Sequence, residues 1–130
     1  MTGSRKIMCL LINMAGADHR LESARAQLDQ DGMDWERLDA VTPESDDFVP
    51  VEAPSKWYPE LTKAEVACYL SHRKAWRKAL DRGADYLVVL EDDLITEGPL
   101  SRIFYDVIDS DLSWYMIKFF ETLKFRSVIM

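Results

Sequence analysis

The chain opens on an unbroken apolar run, Ile7-Met8-Cys9-Leu10-Leu11-Ile12, closed by the polar Asn13. A run that never alternates is the pattern of a strand covered on both faces, as in parallel sheets, so a strand is predicted over residues 6–13. Asp18 is placed to cap a helix running to about Asp31, with Leu21, Ala24 and Leu28 at helical spacing and Gly32 as the stop. Residues 35–41 then return as a second strand. Such a β-α-β unit is right-handed and parallel.

Residues 42–60 differ in kind: Pro43, Pro50, Pro54 and Pro59 mingle with Glu44, Asp46, Asp47 and Glu52, and no period emerges. A long loop is expected there, with a ligand-responsive lid and a solvated insertion both open. Order resumes at Thr62-Lys63-Ala64-Glu65, the pattern of a capping box. The helix it starts should reach Arg82 and stop at Gly83, with an apolar face of Val66, Tyr69, Leu70, Ala75, Trp76 and Leu80. Residues 86–90 form the next apolar strand, which runs straight into Glu91-Asp92-Asp93. A short helix over residues 100–108 and a last strand over residues 114–120 complete the reading; the tail, residues 118–130, has no clear assignment. Alternating strands and helices predict an α/β sandwich with a mainly parallel sheet, and ligands of such sheets sit beyond the carboxyl ends of the strands. Asn13 and the acidic triplet both occupy that end.

Composition narrows the partners. A chain of 130 residues, 48% of them hydrophobic, can bury a real core, and residues 1–130 read as one domain. The formal charge of −7 disfavours nucleic acid or an anionic membrane surface as partner. Arg5, Lys6 and the apolar run, followed by Ala15-Gly16-Ala17, imitate a secretory leader. The run is short for one, Asn13 interrupts it, and a buried strand explains it at least as well. No stretch approaches the roughly eighteen apolar residues a membrane span needs. Cys9 and Cys68, far apart in apolar surroundings, read as buried thiols of a reducing compartment rather than a bridge.

Three adjacent acids after a buried strand are costly unless something positive neutralises them. Oxygen ligands of this kind suit Mg²⁺ or Mn²⁺, which use one or two carboxylates plus substrate phosphates. The triplet alone is equally compatible with a decorated loop or a helix cap.

The wider pattern resembles a known family. Glu65-Val66-Ala67-Cys68-Tyr69-Leu70-Ser71-His72, then Trp76, then Leu90-Glu91-Asp92-Asp93 is similar to the paired signature of family 25 glycosyltransferases. Ile12-Asn13-Met14 with Asp18-His19-Arg20, Asp39-Ala40-Val41, and Trp114-Tyr115-Met116-Ile117-Lys118 resemble further family segments, from about Lys6 to Phe119. The resemblance implies a GT-A (Rossmann-like) fold and transfer of a hexose, galactose foremost, from a UDP-sugar to a lipooligosaccharide or other glycan. It implies a divalent ion, Mn²⁺ or Mg²⁺, held by Asp93 with Glu91, and a nucleotide near Ile12, Asn13, Arg20 and Asp92. A cytoplasmic location, peripheral to the inner membrane, goes with it.

Ser71 and His72 cannot act as nucleophile and base on each other, since consecutive helix residues diverge, so helix packing or loop anchoring is expected of them. Trp76 and Trp114 are expected in the core, and His19 in solvent. Ala67 stands where the family has glycine, and family catalytic domains continue well beyond the strand matching Trp114–Lys118. The chain therefore reads as shortened at its C-terminus, no catalytic base is nominated, and the apolar residues 114–120 lead us to expect a homo-oligomer. Two other readings compete. A receiver-like Mg²⁺-binding domain would carry its acidic pair after the first strand, not at residue 91. A catalytically silent nucleotide-binding or assembly module shares every motif with the enzyme.

Overall fold

The computed structural model describes residues 5–51, 60–96, 98–110, 113–114 and 116–117. It separates two compact units, Met1–Leu100 and Ser101–Met130. The first holds β1 (Ile7–Asn13), α1 (Asp18–Gln30), β2 (Glu36–Asp39), α2 (Lys63–Asp81) and β3 (Tyr86–Glu91). α3 (Leu100–Ile108) accounts for most of what is described of the second.

The three strands form a parallel sheet in the order β2-β1-β3. This is the α/β arrangement with a parallel sheet that the alternation of elements predicts, and it agrees with the Rossmann-like fold that the resemblance implies. β1 is central, and its side chains divide strictly by parity. Met8, Leu10 and Ile12 join Leu38, Ala75 and Ala79 in a core beneath α2. Leu11 meets Ala24 and Leu28 of α1 on the opposite face. Leu10, Leu11 and Leu28 are completely buried, each contributing about 1.5–3 kcal/mol. β3 is only half-buried along residues 86–90, because it lies at one edge of the described sheet, whereas its apolar run suggests full cover.

The helix ends obey local chemistry, with one exception. Gly32 and Gly83 adopt φ of +68° and +66°, and each closes its helix with paired bonds: Gly32 N to Asp29 O with Met33 N to Leu28 O, and Gly83 N to Leu80 O with Ala84 N to Ala79 O. The capping box forms as predicted. Thr62 accepts from Glu65 N while Glu65 Oε1 accepts from Thr62 N, each at 3.1 Å, and these bonds hold the Glu65 carboxyl below its ordinary range. Asp18 does not cap α1. It is the first helical residue, the cap position falls on Ala17, and no side chain caps there, so Asp18 acts only as a negative charge in the first turn.

Two further expectations are corrected. Tyr69, Trp76 and Leu80 lie on the outer side of α2, exposed by 45%, 40% and 76%. Val66, Leu70 and Ala75 are buried as expected, but Ala67, Ser71 and Ala79 complete that face in place of the larger residues, because small residues let the helix approach the sheet closely. Trp76 stacks edge-on against Tyr69 at the surface, centroids 6.5 Å apart. The second strand is only Glu36–Asp39, shorter than the predicted residues 35–41. Residues 42–51 form no helix or strand, as expected of a loop, but this part of it is organised by turns. Ser45 N and Phe48 N close successive turns onto Thr42 O and Ser45 O, and Phe48 and Val51 pack on Val41, Val66 and Leu70. Residues 52–59 lie outside the described residues. So does most of the last predicted strand; Trp114, Met116 and Ile117 are described and are not in a strand.

Candidate functional site at the carboxyl ends of β1 and β3

The chain leaves β1 through α1 on one face to reach β2, then crosses β1 through α2 on the other face to reach β3. The carboxyl ends of β1 and β3 therefore border the point where the winding reverses, the place where open α/β sheets form a ligand crevice. Ile12 pairs with Glu91 in the register, so Asn13 and Asp92 come level just beyond the last ladder position.

They are bonded to each other. Asn13 Nδ2 donates to Asp92 Oδ2 at 2.8 Å and to the Ala17 carbonyl at 3.1 Å. Its Oδ1 accepts from Arg37 Nε at 2.9 Å, and Arg37 Nη2 reaches the Asn13 carbonyl and Asp39 Oδ1, both at 3.0 Å. An amide with only 2% exposure thus has its donors and acceptor engaged, as burial requires. Arg20, from the first turn of α1, stands 3.7 Å from Asp92. Gln27 of α1 fixes the loop that follows: its Nε2 donates to Leu94 O at 2.9 Å and its Oε1 accepts from Thr96 N at 2.8 Å.

Glu91 faces the other way. One residue earlier in the alternation, it turns to the α2 side, where His72 Nε2 lies 3.3 Å and Cys68 Sγ 3.7 Å from its Oε1. Asp93 is exposed in the turn after β3. Ile12 is only 7% exposed and its side chain belongs to the core beneath α2, which leaves its main chain alone at the strand end.

The structure thus brings Asn13, Arg20 and Asp92 together, sets Glu91 against α2, and puts Asp93 in solvent. Cys68 is exposed, not buried, while Cys9 is buried as expected. Burial, then the nearby Asp34 charge, pushes the Cys9 thiol up to about 12. Ser71 anchors a loop as expected: its buried Oγ accepts from Val41 N at 2.9 Å and donates to Ala67 O at 2.9 Å. Arg37 and Gln27 join the site without any signal in the sequence. A lone arginine in a short strand and a glutamine on a polar helix face carry no pattern, and only the register reveals their partners.

The model of glycosyltransferase family 25 (LPS biosynthesis protein) matches residues 7–128. The chain belongs to glycosyltransferase family 25. It is 43% identical over 61 residues to the inactive glycosyltransferase 25 family member 3 of Homo sapiens, covering 44% of this chain and 10% of that protein. It is 33% identical over 95 residues to the lacto-N-neotetraose biosynthesis glycosyltransferase LgtB of Neisseria gonorrhoeae, covering 68% of this chain and 33% of that protein. Identity to the lipooligosaccharide biosynthesis protein lic2B of Haemophilus influenzae is 28% over 87 residues, 65% of this chain and 33% of that protein. The chain spans between a tenth and a third of the length of these family 25 relatives.

Proposed function

We propose that the chain is the donor-binding part of a metal-dependent glycosyltransferase that moves a hexose, galactose foremost, from a UDP-sugar to a lipooligosaccharide or related glycan. The observation that carries this reading is the Asn13–Asp92 bond across the switch point, within a chain that belongs to family 25. It lies on a charged, hydrogen-bonded rim where nucleotides bind in open α/β sheets. In this reading Asn13 and Arg37 fix Asp92 and the mouth of the crevice, and Arg20, 66% exposed, has its guanidinium available for diphosphate oxygens.

The oxygen donors present fit a divalent ion of the Mg²⁺ or Mn²⁺ kind. Asp93 and Glu91 are both exposed carboxylates, separated in the chain by Asp92 alone, and such ions take one or two of these beside substrate phosphates. Asp93, with Glu91, would hold the ion. When bound, it neutralises charge on the departing diphosphate. The chain's own groups orient the nucleotide and present the anomeric carbon.

The support for glycan transfer comes from the Neisseria and Haemophilus relatives, whose names state roles in lacto-N-neotetraose and lipooligosaccharide biosynthesis. Among the described residues no helix is long and apolar enough to cross a membrane, and we place the enzyme in the cytoplasm, peripheral to the inner membrane. A second reading, binding without turnover, is favoured by one observation: the human relative is named inactive.

Calorimetric titration with UDP and UDP-galactose, in Mn²⁺ and in EDTA, tests the proposal. Mn²⁺-dependent binding that is lost in Asp93→Ala is expected, and equal affinity in EDTA would refute the metal site. Sugar transfer to a lipooligosaccharide acceptor then separates the enzyme from the silent binder.

A further inference from the structure

Cys68 and His72 stand one turn apart on α2, so both project toward the same neighbour. That neighbour is the final residue of β3. Thiol and imidazole converge on one carboxylate oxygen, Glu91 Oε1, at 3.7 Å and 3.3 Å, and the three ligand atoms all lie within 4.8 Å of one another. The donor reading uses neither Cys68 nor His72.

The two edges that meet at Glu91 have the lengths of a coordination polyhedron. Zinc bonds of about 2.3 Å to sulfur and about 2.0–2.1 Å to nitrogen and oxygen, at tetrahedral angles, set sulfur and oxygen about 3.5 Å apart and nitrogen and oxygen about 3.3 Å apart. The two observed edges match within a few tenths of an ångström. The donor set is also selective, because thiolate and imidazole suit zinc and its neighbours, whereas Mg²⁺ and Mn²⁺ prefer oxygen. Access is open: Cys68 and Glu91 are exposed and the His72 side chain is 32% exposed.

We propose that Cys68, His72 and Glu91 form a three-ligand site for a thiophilic divalent ion of the zinc class, with a fourth position left to water. On binding, the thiol proton leaves to solvent and the thiolate bonds the ion, so affinity rises with pH. The proposal shares Glu91 with the donor reading but does not depend on it, since Cys68 and His72 have no part in that reading.

Titration of the chelator-treated full chain with Co²⁺ reads this site directly. The expected result is a thiolate-to-cobalt charge-transfer band that saturates at one ion per chain and disappears when Zn²⁺ displaces the cobalt. Cys68→Ser, a change at an exposed position, should abolish the band while the circular dichroism spectrum stays unchanged. His72→Ala should weaken Co²⁺ binding by at least about tenfold, since even the loss of an outer-shell partner costs that much. Asp93→Ala should keep the band, so a failed donor reading, seen as UDP affinity indifferent to EDTA, is told apart from a failed zinc-class site. As an independent readout, Zn²⁺ should slow alkylation of Cys68 in the unaltered chain. No band in the unaltered chain, or a band that survives Cys68→Ser, overturns the proposal and leaves a hydrogen-bonded cluster.

Discussion

Replacing Asn13 by alanine should cost more than any surface change at the candidate site. The amide makes three side-chain hydrogen bonds, to Asp92, Ala17 and Arg37. Arg37 loses least, because it is 33% exposed and keeps the Asn13 carbonyl and Asp39. Asp92 loses most: its side chain is only 12% exposed, and among the described residues Arg20 at 3.7 Å would be its remaining side-chain partner. A bond to a charged group contributes about 1.5–3 kcal/mol and a neutral one about 1 kcal/mol, so Asn13→Ala should destabilise by about 2–4 kcal/mol. For a chain of 130 residues unfolding cooperatively, that corresponds to a melting temperature lower by roughly 7–15 °C. Urea denaturation of Asn13→Ala, Asp92→Ala and the double variant measures the bond itself. A coupling of about 1–2 kcal/mol between the two positions is expected, within the range for residues in contact. A single-variant loss below about 0.5 kcal/mol, or no coupling, would refute the idea that this bond holds β1 and β3 together at their carboxyl ends.

Ser71→Ala should cost about 1–3 kcal/mol in the same assay, because it strands the buried Val41 N–H without an acceptor. Thr62→Ala should cost about 1 kcal/mol by removing the capping box. Hydrogen bonds from Arg82 and then Lys78 hold Glu36 down at about 2, against burial; a depressed carboxylate stabilises above its unfolded value, so this contribution should fade as pH falls from about 4.5 to about 2. Glu36→Gln should flatten that acid limb while costing under about 1 kcal/mol at neutral pH, since the side chain is 41% exposed. Mass-spectrometric alkylation without metal should label Cys68 quickly and Cys9 only on unfolding, and equal rates would contradict the burial described.

What can be read in the sequence is mostly what depends on neighbours along the chain, the Asp18 cap being the local reading that fails. The β1 run, the capping box at Thr62 and the glycine stops at Gly32 and Gly83 are local patterns with local causes, and all of them form. The placement of Asn13 and the acidic triplet at strand ends follows from the same patterns plus a topological rule. What escapes depends on register between distant segments. The face of α2 is misread from sequence because large apolar side chains outweigh alanines there, whereas close packing on the sheet selects the alanines. Cys68 reads as core for its type, yet its exposure is set by which side of α2 meets β3. Arg37 and Gln27 act through partners 24 and 67 residues away, a distance at which no spacing rule operates.

A strand that ends in consecutive acids is a splitter. Side chains alternate across a sheet, so Glu91 and Asp92, adjacent in the chain, serve opposite layers: one addresses the thiol and imidazole of α2, the other the amide of Asn13 and the guanidinium of Arg20. The order of the two letters is therefore a geometric instruction. Exchanging them, by Glu91→Asp together with Asp92→Glu, would leave the charge and composition of the chain untouched. It would also leave each layer with a carboxylate one methylene too short or too long for its partners.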